Sequence, residues 1–98
     1  MATVHVTFRT AHNLGSAAIY SKSPRAAQTI TSSAVSQQTT ITAEAGEIAT
    51  IAVTGGAIFI AIGANPTAAS GAGDLIPDGA QLQLGILSAG NKIAIINA

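Results

Sequence analysis

The chain contains no cysteine, which excludes disulfides, thiolate metal sites and a cysteine nucleophile, and leaves its redox compartment open. Charge is scarce: four basic and four acidic side chains in 98 residues, with a formal net charge of zero. No basic face is available to neutralise a phosphate backbone or an anionic lipid surface, so nucleic-acid and membrane-surface binding are excluded as leading functions. Aromatic residues are limited to Phe8, Tyr20 and Phe59. The longest apolar stretch, Ile48 to Ala64, spans 17 residues and is interrupted by Gly55-Gly56, whereas a bilayer-crossing helix needs about 20. The start, MATVHVTFRT, alternates polar and apolar residues and does not read as a signal peptide.

What is abundant is alanine, with 21 residues, alongside Ile, Val and Leu. Alanine buries little area, while ordering each backbone residue costs about 1–2 kcal/mol. A single domain over residues 1–98 with such a core is expected to gain stability by self-association or by docking onto something larger.

Periodicity points to strands. Val4, Val6 and Phe8 alternate with Thr3, His5, Thr7 and Arg9, the period-2 mark of a strand with one buried face. Residues 16–38 are rich in Ser, Ala and Gln, with Pro24, and are expected to form an extended arm or long loop in which only Ala18–Tyr20 and Gln28–Thr31 look strand-like. Thr39–Thr42 and Ile48–Val53 flank Glu44-Ala45-Gly46-Glu47, which predicts a hairpin with a solvated acidic tip. Thr54-Gly55-Gly56 turns the chain into Ala57–Ile62, predicted to be a central strand, buried on both faces, that ends at the Asn65-Pro66 turn. Gln81–Leu84 places Leu82 and Leu84 on one face and the glutamines on the other, and Ser88–Asn91 turns into a closing strand over Lys92–Ile96. No dozen-residue window sustains an apolar stripe at helical spacing. The predicted fold is all-β: a compact antiparallel sandwich or small barrel, jelly-roll-like, with a less regular N-terminal third.

Catalytic and ligand motifs are missing or broken. Gly85-Ile-Leu-Ser-Ala-Gly-Asn-Lys92 resembles a phosphate loop, but Asn91 separates Gly90 from the lysine and Ile93 stands where Ser or Thr should bind magnesium. Gly71-Ala72-Gly73 lacks the third glycine of a dinucleotide fingerprint, and Pro77 falls where its helix should run. His5 and His12 are the only imidazoles, placed on a polar strand face and in a following turn, and neither reads as a metal ligand. No G-x-S-x-G elbow is present, so no hydrolytic triad is assembled from the serines. A protein without enzymatic activity, cofactor, metal or small-molecule substrate is expected.

Three stretches in the second half carry a resemblance: AGEIATIAVTGGAIFIAIGANPTA over residues 45–68, GDLIPDGA over 73–80 and SAGNKIAIINA over 88–98. In order and spacing they resemble small structural proteins of tailed bacteriophages, over about residues 38–98. The chain departs from that pattern at Leu75-Ile76 before the proline and at Gln81–Leu84, where an aromatic-containing segment is usual. The resemblance implies a virion protein made in the host cytoplasm: a capsid cement or decoration subunit, a homotrimer bound to the outer surface of the major capsid protein shell. A tail, fibre or head-tail connector subunit is the alternative within the same class. A carbohydrate- or ligand-binding β module is the alternative outside it, disfavoured because few aromatic rings are available to stack on a sugar. For a shell-binding protein, the 16–38 segment is the element expected to reach neighbouring capsid subunits. Tyr20 and Arg25 are its expected anchors, since interface cores favour those residue types.

Overall fold

A computed structural model describes residues 2–14, 17–20, 24–85 and 87–98, and the side chains of residues 11–14 and 17–20 lie outside that description. Nine strands form, β1 (Thr3–Leu14), β2 (Ala17–Tyr20), β3 (Ala26–Thr31), β4 (Gln37–Gln38), β5 (Glu47–Thr54), β6 (Ile58–Gly63), β7 (Asp74–Ile76), β8 (Gln81–Leu84) and β9 (Lys92–Asn97), and no helix is present among the described residues. All pairings are antiparallel. One sheet runs β2–β1–β5–β8 with β3 also on β1, and the other runs β4–β9–β6–β7. The architecture is an all-β sandwich.

The core follows from alternation. Val4, Val6 and Phe8 of β1 face inward opposite Val53, Ile51 and Ala49 of β5, and all six are buried. From the second sheet, Ile58 and Ile60 of β6 and Ile93 and Ile95 of β9 are buried in the same cluster. Leu82 and Leu84 pack against this core from β8, while Gln81 and Gln83 stay exposed, in agreement with the pattern read from the sequence. On the outer face of β1, His5 pairs across to Thr29, with Nδ1 2.8 Å from its Oγ1.

Two expectations change. Thr39–Thr42 does not form a hairpin with β5. Thr39 N donates to Ile93 O at 2.9 Å and Ala43 N to Asn91 O at 2.8 Å, so this stretch runs beside β9 in the opposite sheet. Glu44–Gly46 is therefore a crossing from one layer to the other, and so are Gly55-Gly56 and Ser88–Asn91. Period-2 alternation reports which face a residue takes but not which strand lies beside it. Second, part of the 16–38 segment is built into the sandwich: β3 adds to β1 and β4 to β9. The buried Ser32 hydroxyl accepts from Ala2 N at 2.7 Å and donates to Asn97 Oδ1, joining the layers next to β3.

Candidate partner interface

β1 is longer than the sheet it belongs to. Its partner β3 extends only as far as Phe8, and β5 only as far as Thr10, opposite Glu47. From Ala11 to Leu14 its sole ladder partner among the described residues is β2, with Leu14 opposite Ala17 and Tyr20 opposite Ala11. The result is a two-stranded hairpin that continues past the sandwich, in a molecule measuring 38 Å along its longest axis and 26 and 21 Å across. Two strands alone are marginally stable in water. Neither Ala11–Leu14 nor Ala17–Tyr20 carries a Lys, Arg, Asp or Glu.

Arg25 holds the base of this hairpin. Its backbone N–H donates to Phe8 O at 2.8 Å. The guanidinium grips Glu47 with two bonds, Nε to Oε2 and the terminal nitrogen to Oε1, both 2.8 Å, and also donates to Thr42 O at 2.6 Å. Glu44 adds a second carboxylate 3.2 Å from Nε, and its own N–H donates to Glu47 Oε1 at 2.7 Å. Glu47 is 3% exposed at its side chain and Arg25 40%. The bidentate bond from Arg25 holds the Glu47 carboxyl below the usual range, against the opposing effect of burial, with further help from the Glu44 amide. The same bond raises Arg25 above its ordinary value.

Of the two residues expected as anchors, Arg25 is thus engaged within its own chain, with part of its side chain still facing solvent. The backbone of Tyr20 lies in the hairpin, and its side chain falls outside the described residues. Glu47 corrects the expectation of a solvated acidic tip: only Glu44 is exposed there. A signal for this was present. Glu47 is in phase with Ala49, Ile51 and Val53, so alternation alone places it on the core face.

The outer face of the β4–β9–β6–β7 sheet is a second surface, so β6 is central in its sheet but not buried on both faces as expected: Ile58 and Ile60 are buried on the core side, Phe59 and Ala61 on the other side are half-buried, and Ile62 is exposed. Phe59 lies between Leu75 on β7 and Ile96 on β9, and Leu75 is 53% exposed. The next rung, Ala61 beside Ala94, is covered from above where Gln38 Nε2 donates to Asn65 Oδ1 at 2.9 Å and to Pro66 O at 2.6 Å. Ala68 N donates to Ser36 Oγ at 2.9 Å, which fastens the same loop across the sheet. Asn65-Pro66 is therefore a strap over the sheet as well as the end of β6.

Among the described residues there is no pocket and no cluster of His, Asp and Glu arranged to hold a metal ion, and no helix long and apolar enough to cross a membrane. Comparison with family models, with curated proteins and with solved structures yields no match to this chain.

Proposed function

We propose that this chain is a non-enzymatic structural subunit of a phage particle, a cement or decoration protein that binds the outer surface of the capsid shell and reinforces it. The observation that carries this reading is the hairpin of Ala11–Leu14 with Ala17–Tyr20, which has no Lys, Arg, Asp or Glu, leaves the sandwich with, among the described residues, no strand beside it beyond its own partner and is clamped at its base by the Arg25–Glu47 pair. A hairpin that cannot bury itself gains from a partner surface, and the clamp limits the entropy lost when it docks. The resemblance over residues 38–98 supplies the class of partner, and multivalent attachment of several copies turns weak single contacts into firm retention.

The test is addition of the purified chain to shells stripped of it. Binding should raise the temperature at which shells open and should slow proteolytic cleavage between residues 11 and 23 relative to the free protein. Equal cleavage in bound and free protein, or shells no more heat-resistant than before, would refute the reading. Retention on tails alone would move the assignment to a tail or connector subunit.

A further inference from the structure

We propose that Asp78–Gly79 is a site of covalent self-modification, isomerisation of the aspartate to isoaspartate, which the fold keeps latent through hydrogen bonds to the end of β5 and to the turn after it. In the sequence, Asp78 is the only Asp or Asn followed by Gly. That pairing is the reactive one, because glycine has no Cβ to shield its amide nitrogen from the preceding side chain. The nitrogen of Gly79 attacks Cγ of Asp78. A C–N bond forms, a C–O bond breaks, and the oxygen leaves as water with the amide proton and one more from the carboxyl group. The product is a five-membered succinimide. Water then opens it at one of two carbonyls, which either restores aspartate or leaves the chain running through Cγ with the carboxylate on Cα. Water is lost and regained, so no other reagent is needed.

Local structure explains why so labile a pair stands here. Pro77 to Ala80 is a tight turn, closed by Ala80 N donating to Pro77 O at 3.1 Å. Gly79 takes φ +79°, and no residue other than glycine has positive φ among the described residues. These are the marks of a type II turn, which calls for glycine at its third position. Asp78 fastens this turn to the one between β5 and β6, its Oδ1 accepting from Gly55 N at 2.9 Å. Crowding does not protect the pair: Asp78 is exposed, and a Cβ built on Gly79 would meet nothing within 4 Å.

Hydrogen bonding does protect it. The Gly79 N–H donates to Val53 O at 2.9 Å, and Val53 N donates to Ala80 O at 3.0 Å. The attacking nitrogen therefore belongs to the end of the β5–β8 ladder, which continues with Ala52 opposite Gln81. Attack requires the amide to give up its proton and bend towards Cγ, and both are opposed while that proton is shared with Val53. The carboxylate is held in turn by Gly55. Reaction waits for the end of the ladder to open, an event local enough to occur without global unfolding. Isoaspartate adds one atom to the main chain between Cα of residue 78 and the Gly79 nitrogen, so the turn can no longer place both Gly79 and Ala80 on Val53. The modification thus leaves a lasting mark on a chain that has opened, and it is independent of shell binding.

The test incubates the full chain at neutral pH and physiological temperature, folded and in denaturing urea, with isoaspartate quantified by peptide mapping. Isoaspartate should accumulate at residue 78 of the unfolded chain and at least about tenfold more slowly in the folded one. Asp74, followed by Leu75, should isomerise slowly in both. Amide exchange supplies a second readout: the Gly79 N–H must leave Val53 for exchange and for attack alike, so the folded rate should equal the unfolded rate divided by the Gly79 protection factor. Asp78→Asn reports the same attack through loss of ammonia and gain of water, a mass change visible in the intact chain, and should show the same protection. Equal rates in folded and unfolded chains, no isoaspartate at residue 78 in either, or protection unrelated to Gly79 exchange would overturn the proposal.

Discussion

Glu47 illustrates how a single buried carboxylate ties distant segments together. Its partner lies 22 residues away in sequence, and the pair is sound because Arg25 and the Glu44 amide together satisfy both carboxylate oxygens. Because the folded-state pKa of Glu47 lies below its unfolded value, its contribution is complete above about pH 4.3 and is lost as the pH falls through the lower folded value. Urea titrations of the parent and Glu47→Gln should therefore differ at pH 7 and converge under acid conditions. Arg25→Met should cost about 1–3 kcal/mol at pH 7, discounted for the exposure of Arg25, since it leaves a buried carboxylate with one amide for company. That loss should shrink as acid protonates Glu47, and a loss that grew with acid would contradict the assignment. Elsewhere, Phe8→Ala should cost about 3–5 kcal/mol by denaturant titration, as a fully buried aromatic ring is removed. Gly73 has φ +80° and a Cβ there would lie 2.5 Å from Ile60 O, a backbone atom that cannot step aside. Gly73→Ala should cost about 1–3 kcal/mol.

At the scale of elements, strands were legible wherever polar and apolar residues alternate against a single core. Val4-Val6-Phe8, Leu82-Leu84 and Ile93-Ile95 each announce a strand and its buried side, and the structure places them so. Partners were not legible. Thr39–Thr42 precedes β5 closely in sequence yet runs beside β9, because hairpin geometry competes with crossing between layers and the local sequence suits both. The same ambiguity hides the hairpin, since nothing in TVHVTFRTAHNL marks the point after Thr10 where β5 stops accompanying β1. Of the proposed interface, the sequence offers a segment poor in periodic apolar character, and residue type alone singles out Tyr20 and Arg25. The Arg25–Glu47 bond was not visible, for its spacing follows no local rule. If the hairpin makes the shell contact, Tyr20→Ala should lower retention on shells about tenfold in a pull-down at fixed concentration, with the melting transition of the free chain almost unchanged. A variant that melts early and binds normally would show that Tyr20 serves the fold instead.

The whole molecule is two layers joined by repeated crossings, with mainly Ile and Val side chains and Phe8 at its centre and few charges outside. Gly85 shows how closely the chain after β8 lies beside β5 within one sheet: a Cβ at that position would lie 2.5 Å from Ile48 Cγ2. Shape, strand edges and one outstretched hairpin are what such a body offers to the proposed role of holding on to neighbours. The most direct measurement for the proposed role is electron cryomicroscopy of phage particles assembled with and without the chain, with its copies located and counted. The account predicts hundreds of copies on the outer shell, with density for the β1–β2 hairpin reaching a neighbouring capsid subunit. Particles without the chain on their shell, or a shell-bound chain whose hairpin points to open solvent, would contradict it.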